Sequence, residues 1–197
     1  MARGNKKVNM SLVNNQLTRN RAFQKEVLQI AEKKIDASRL KLLNDFDEHP
    51  VTREIRGGVD ARNISNTLGG YGNLFTFIGF AFGSDPIGPV RRMLHQIKAK
   101  ELKKKLVSKR KIRYEVELSV PSKEAIAAMT PLPFENGRSW LYGIESGISG
   151  FGAYIYKKWK TSRSGHGIQV DKKLRSGSFR NTQYFSNMLL KFVTRIR

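Results

Sequence analysis

The stretch that decides the fold is residues 18–50, TRNRAFQKEVLQIAEKKIDASRLKLLNDFDEHP. Its apolar residues recur at three- and four-residue steps, at Phe23, Val27, Ala31, Ile35, Leu42 and Phe46. This spacing predicts one long amphipathic helix. Thr18 can cap its start, and His49-Pro50 must end it, because proline disfavours helical geometry in the residue before it.

The residues on either side of this helix have a different composition. Residues 1–17 are polar, basic and rich in asparagine, which predicts a flexible basic arm. Residues 50–72 combine glycine with asparagine and serine, which predicts a turn-rich connection. We expect residues 18–197 to form a single domain.

The middle of the chain contains two strand candidates around a basic helix. Residues 73–82 (NLFTFIGFAF) are aromatic and β-branched, which predicts a buried strand. Ser84-Asp85-Pro86 then starts a helix that grades into the lysine run of 98–105, giving a basic helical insertion near 84–110. Residues 111–120 alternate between apolar and polar, which indicates a half-buried strand.

The last third of the chain completes an α+β pattern. Pro121-Ser122 caps a short helix through Met129, and Trp140, Tyr142 and Ile144 alternate as in a strand. Residues 151–159 are a further strand candidate, and 160–179 form a mobile loop of serine, glycine and basic residues. A C-terminal helix uses Phe185, Met188, Leu189, Phe192 and Ile196. The prediction is an antiparallel sheet packed on the long N-terminal helix and the C-terminal helix.

The charge of the chain predicts an anionic partner. Lys and Arg number 37 against 16 Asp and Glu, a formal charge of +21 on 197 residues. A compact domain with that much like charge repels itself, so a polyanionic neighbour is expected where it works. Nucleic acid, an acidic membrane and an acidic protein surface all fit this charge.

Two basic clusters are the candidate contact sites for that polyanion. The first cluster runs from Lys98 to Arg113 and the second from Lys157 to Arg180. The residues expected to make the contact are Lys103, Lys104, Lys105, Lys109, Arg110 and Lys111 in the first, and Lys157, Lys158, Lys160, Arg163, Lys172, Lys173 and Arg175 in the second. Long cations on flexible segments suit phosphate contacts that are independent of base sequence. A solvated face that keeps the protein soluble is the alternative for each cluster.

Residue patterns for catalysis and metal binding are missing from the sequence. It has no cysteine, and His49, His95 and His166 lie far apart without partners at ligand spacing. Glu115 and Glu117 share a strand face, but solvent-facing charges explain them better than acid–base chemistry. We therefore expect no enzymatic activity, no cofactor and no metal. No signal or transmembrane segment is evident, so synthesis in the cytoplasm and no membrane partner are expected.

Three stretches in order resemble one protein family. They are His49-Pro50-Val51-Thr52 with the following NISNTLG of 63–69, then WLYGIESG of 140–147, and FRNT of 179–182 leading into the last helix. This order resembles the head–tail connector, or tail-completion (neck), proteins of tailed bacteriophages.

The resemblance implies a structural virion protein. It implies an α+β subunit of a homo-oligomeric ring, commonly a hexamer, that joins the head connector to the tail at the head–tail junction. Its partners would be adjacent connector and tail proteins and packaged DNA, and Gly143, Glu145 and Gly147 would be structural turn positions. A stand-alone basic nucleic-acid-binding protein is the alternative, and an enzyme acting on nucleic acid ranks last.

Overall fold

The computed structural model describes residues 16, 20–68, 72–108, 111–133, 135–146 and 182–196, with side chains except at 101–108, 111–113, 135 and 136. These residues are α+β, as predicted, with a long N-terminal helix, a C-terminal helix and antiparallel strands in two two-stranded sheets. The chain divides into two compact units. Unit 1 is Met1–Ala37 with Ile97–Val120, and unit 2 is Ser38–Gln96 with Pro121–Arg197.

The long predicted helix exists as α1, Arg21–Glu48. Asn20 caps its start, because its Oδ1 accepts the backbone N–H of Ala22 at 2.9 Å. The predicted cap, Thr18, lies outside the described residues. The helix ends at Glu48, as predicted from Pro50. His49, the residue before this proline, has extended backbone angles of φ −61° and ψ 134°.

A second helix, α2, covers Pro50–Arg56 and is followed by a 3-10 turn at Gly58–Asp60. The predicted turn-rich connection is therefore wrong for its first seven residues. Proline suits the first position of a helix because its missing N–H has no partner to lose there. Burial of Val51 and Ile55 then holds the helix in the core of unit 2.

Unit 1 contains a β-hairpin. Strand β1, Lys98–Ser108, pairs antiparallel with β2, Lys111–Ser119, with register shifts near Ala99 and Leu106. The strand predicted for 111–120 is confirmed, whereas the helix predicted for the lysine run of 98–105 is wrong. Pairing with an alternating strand overrides the helix propensity of lysine, and a strand turns neighbouring lysines to opposite faces.

Unit 2 contains the remaining short elements. They are α3 Leu74–Ile78, α4 Ile87–His95, α5 Lys123–Met129, β3 Pro131–Leu132, β4 Glu135–Ser139, α6 Trp140–Ser146 and α7 Phe185–Ile196. The ring of Phe80 packs against those of Phe75, at 5.4 Å, and Trp140, at 5.8 Å. These aromatic contacts lie inside the buried core.

Two predicted strands are helices. The segment 73–82 forms α3, because Asn73 Oδ1 accepts the N–H of Thr76 and Gly79 ends the helix at φ 81°. An apolar run buried on all sides fits a short helix as well as a strand. The three alternating positions from Trp140 are too few to decide between the two, and they form α6.

Three predicted helix positions are confirmed. Helix α5 starts after Ser122, whose Oγ accepts the N–H of Ala125 at 3.2 Å. Helix α4 starts after Asp85, whose carboxylate accepts the N–H groups of Ile87 and Gly88. The apolar face of α7 is buried.

Several predictions concern residues outside the described ranges. They are the arm 1–17 (apart from Gln16), the strand candidate 151–159 and the loop 160–179. The prediction of a single domain over 18–197 stays a prediction.

A buried carboxylate orders the connection between α2 and α3. Glu54 is fully buried, and its two oxygens accept the backbone N–H groups of Leu74 at 2.7 Å and Ser65 at 2.8 Å. Asn73 acts beside it, donating from Nδ2 to the carbonyl oxygens of Val59 and Ala61. Four hydrogen bonds thus replace regular structure in this connection.

We expect the substitution Glu54→Gln to destabilise the fold by about 2–3 kcal/mol. Glutamine is nearly isosteric, but its NH₂ group must face one of the two N–H donors and leave that donor buried without an acceptor. Urea denaturation measures the change. The exposed Glu48→Gln is the matched control and should change the free energy of unfolding by less than about 0.5 kcal/mol. Equal stability of the two variants would contradict this role for Glu54.

Candidate interaction surfaces

The first basic cluster lies on the hairpin of unit 1. Lys103, Lys104 and Lys105 are in β1, and Lys111 starts β2. The backbone register places these four opposite Glu115, Tyr114, Arg113 and Ser108, respectively. The cluster therefore follows a two-stranded ribbon, where sequence reasoning expected a helix.

The other predicted contact residues lie outside the described ranges. They are Lys109, Arg110, Lys157, Lys158, Lys160, Arg163, Lys172, Lys173 and Arg175. Polyanion contact by these residues stays a prediction.

The paired glutamates of β2 sit among charged neighbours. Glu117 accepts a hydrogen bond from Lys100 Nζ at 3.4 Å, and the lysine side chain is 65% exposed. Glu115 is also exposed, and the register places it opposite Lys103. Such exposed pairs contribute little to stability, so this arrangement fits the solvent-facing reading.

The two described histidines, His49 and His95, have different roles and do not form a shared site. His49 caps α2, since its Nδ1 accepts the N–H of Val51 at 3.3 Å, and its ring lies 4.7 Å from that of Tyr184. His95 is exposed at the end of α4, and His166 lies outside the described ranges. Within the described residues, no three His, Asp or Glu side chains are grouped so that they could hold a metal ion.

The buried aromatic side chain of Tyr184 connects α7 to α2. Its hydroxyl forms a short hydrogen bond with Thr52 Oγ1, and its ring stacks on Phe46. Burial raises the pKa of Tyr184 far above its ordinary value, although the Thr52 hydrogen bond acts in the opposite direction. The hydroxyl therefore stays neutral and serves packing.

Carboxylates of unit 2 are engaged as internal acceptors. Asp47 bonds Arg56 at 2.5 Å and Arg91 at 3.0 Å. Burial alone would raise the pKa of Asp47, but the two arginines outweigh burial and lower it. Asp45 pairs with Arg195 at 2.8 Å.

Glu145 also serves as a hydrogen-bond acceptor within unit 2. Its two oxygens accept the N–H and the hydroxyl of Ser186, at 2.6 and 2.7 Å, and so cap the start of α7. Glu145 and Gly143 lie within helix α6, so the expectation that they are turn positions is wrong; Gly147 lies outside the described residues.

Exposed apolar side chains are the feature that sequence reasoning missed. Phe82 is 73% exposed, and Leu190, in the first half of α7, is 66% exposed. Both lie in unit 2. Helical periodicity could not identify Phe82, which lies in a turn. Large exposed apolar groups are typical of interaction surfaces when they occur together.

Few of the described side chains of unit 1 are buried. Of the buried apolar side chains that the structure describes, only Ile35 and Ile97 belong to it. Phe23 and Tyr114 touch with ring centroids 6.1 Å apart, yet both side chains remain half-buried. The Tyr114 hydroxyl is buried without a hydrogen-bond partner among the described residues.

Comparisons with protein families, with curated proteins and with solved structures find no match to this chain. The resemblance to phage neck proteins therefore stays a prediction. Among the described residues, no helix is both long and apolar enough to cross a membrane.

His49 should make the stability of unit 2 depend on pH. Burial and the nearby Lys191 lower the pKa of His49 below its ordinary value of 6.5. A lowered folded pKa means that the unfolded chain binds the proton more tightly. Stability should therefore be complete above about pH 6.5 and fall as the pH drops below that value towards the folded pKa.

The variant His49→Asn tests this dependence because asparagine can cap α2 without titrating. We expect its melting temperature to fall less than that of the wild type between pH 7.5 and 5.5. His95→Asn, which leaves the Val51 cap intact, should follow the wild type. A wild-type slope in His49→Asn would show that His49 is not responsible.

Proposed function

We propose that this protein is a structural subunit of a tailed-phage particle. In this proposal it forms a homo-oligomeric ring in the neck of the virion and joins the head connector to the tail. The observation that carries the proposal is that apolar side chains on α1 and β2, among the described residues of unit 1, stay half-buried. The order of motifs that resembles phage neck proteins is the reason for proposing a neck ring instead of another kind of assembly.

The hairpin of unit 1 supports assembly because of its length and because its described apolar side chains on β2 are only half-buried. Strands of 11 and 9 residues form a two-stranded sheet, which is marginal in water unless another surface packs on it. Val116 and Leu118 are only half-buried, as are Val27 and Ala31 on α1. A neighbouring subunit could cover these half-buried side chains.

The charge of the chain limits how such a ring can form. Copies at +21 repel one another, and salt screens that repulsion over about 10 Å at 0.1 M. Self-assembly through apolar contacts should therefore strengthen when salt is added, whereas DNA binding through lysine–phosphate contacts must weaken. The two readings thus predict opposite responses to salt.

We expect the purified full chain to form closed oligomers. The oligomeric fraction should rise as salt is raised from about 50 to about 500 mM, because salt screens the repulsion between copies. Light scattering after size exclusion measures the mass, and negative-stain microscopy shows whether the oligomers are rings. A monomer at every salt and protein concentration, also absent from phage particles, would overturn the proposal.

A stand-alone nucleic-acid-binding protein is the second candidate, and the hairpin geometry favours it. The first basic cluster lies on a two-stranded antiparallel ribbon. The major groove of DNA admits such a ribbon, and lysines along it can reach phosphates on both sides. This candidate requires no ring.

The lysines of β1 test the second candidate. If it holds, replacing Lys103, Lys104 and Lys105 with glutamine should reduce the slope of log K against log salt by about 3. The control replaces three exposed lysines of α1, Lys33, Lys34 and Lys41, and should leave the slope near that of the wild type. Equal slopes in all three proteins would exclude the ribbon as the DNA contact.

A further inference from the structure

The register of the hairpin divides its residues between two faces. Cross-strand partners lie on the same face of a ribbon, and successive pairs alternate between the faces. The pairs on the mostly apolar face are Leu102–Val116, Lys104–Tyr114 and Leu106–Ile112. The pairs on the other face, which we call the charged face, are Glu101–Glu117, Lys103–Glu115 and Lys105–Arg113.

The charged face is the outer face of the hairpin. Tyr114 belongs to the apolar face, and its ring centroid lies 6.1 Å from that of Phe23 on α1. The neighbouring Glu115 belongs to the charged face and is exposed. The apolar face therefore lies towards α1, and the charged face is directed away from it.

The base of the hairpin, residues 98–103 with 115–119, has its charge balanced within the chain. Lys100 Nζ donates a hydrogen bond to Glu117 at 3.4 Å. The register places Lys103 opposite Glu115. Together with Glu101, three carboxylates stand against these two lysines, so the base has no positive charge to spare on this face.

The turn end, residues 105–108 with 111–113, has the opposite balance. Lys105 and Arg113 are direct partners in the register, and like charges opposite each other destabilise a strand pair. Lys111 lies two residues before Arg113 on β2 and so shares its face. The sequence from 105 to 113 has five basic residues and no acidic one. An anion bound at this end would offset the repulsion between these cations.

The composition and length of the turn end fit the phosphates of a DNA duplex. Residues 105–113 contain no Phe, Tyr or Trp on which an unpaired base could stack. At about 3.3 Å per residue, Lys105 to Ser108 spans about 10 Å, close to the major-groove depth of about 8.5 Å. A hairpin lying flat would instead bring Glu115 and Glu117 against phosphates, which repel them.

We propose that the hairpin binds double-stranded DNA end-on, with Lys105, Lys111 and Arg113 at the phosphates that border the major groove. Phosphate contacts of this kind position a protein on DNA without reading its sequence. The base of the hairpin, with its glutamates, stays outside the groove. This inference rests on the second candidate function above and locates its DNA contact.

The salt dependence of binding to a random-sequence duplex tests the location. Lys105→Gln, Lys111→Gln and Arg113→Gln in one variant should reduce the slope of log K against log salt by about 3. The matched control, Lys98→Gln, Lys100→Gln and Lys103→Gln, removes the same charge from the base and should change the slope by less than about 1. Fluorescence anisotropy between about 50 and about 200 mM salt measures both slopes.

Two further variants check the result. The turn-end variant should melt no lower than the wild type, because it removes two opposing cations. If it melts lower, Lys105→Gln alone replaces it and should reduce the slope by about 1. For Lys103, Lys104 and Lys105 replaced together, end-on binding likewise predicts a loss of only about 1, since Lys105 alone lies at the turn end.

Several outcomes would overturn the inference. Equal slopes in the turn-end and base variants would show that the turn end has no special part in binding. A loss of about 3 in the variant of Lys103, Lys104 and Lys105 would show that the whole strand lies on the DNA. Poly-glutamate that binds as tightly as the duplex, through the same three cations, would indicate an acidic protein partner instead.

The wild-type protein separates failure of this inference from failure of the candidate function. If the wild type binds the duplex and the turn-end variant keeps its slope, only the end-on contact is wrong. If the wild type does not bind the duplex at low salt, the nucleic-acid-binding candidate fails with it.

Discussion

The structure depends on a small number of carboxylates. The chain has 16 acidic side chains against 37 basic ones, and several acids of unit 2 accept hydrogen bonds from the backbone or bind arginines within the unit. Glu54 accepts two buried backbone N–H groups, Glu145 caps α7, and Asp47 binds two arginines. Carboxylates used in this way hold connections in place but leave most lysines uncompensated. The net positive charge itself follows from the composition, whatever these carboxylates contact.

In the proposed ring, this positive charge would limit which contacts between copies are favourable. Apolar burial is the main source of association energy, but like charges brought together in an interface oppose it. In the proposed ring, the half-buried side chains of unit 1, such as Val116 and Leu118, would offer apolar area for such a contact. The basic hairpin then remains available for an anionic neighbour, which is where the proposed ring would meet DNA or an acidic protein surface.

The sequence predicted those elements whose periodicity is long or whose ends carry strong signals. Helix α1, its end before Pro50, strand β2 and helices α5 and α7 follow from such patterns. Short apolar segments were misassigned: 73–82 and the region from Trp140 are buried as helices, and burial on all sides removes the period that separates helix from strand. The lysine run became a strand because it pairs in a hairpin with β2, which follows it after two residues and has the alternating pattern that the run itself lacks. The exposure of Phe82 depends on a turn that follows the buried Phe80, and the apolar run of 73–82 gives no sign of it.

Hydrogen–deuterium exchange at low and at high protein concentration tests the central claim most directly, namely that copies of this chain cover half-buried apolar side chains of unit 1. The account predicts that raising the protein concentration slows exchange in a peptide covering 114–119, while a peptide covering 123–129 in unit 2 is unchanged. Equal exchange of 114–119 in the dilute and the concentrated protein would contradict it.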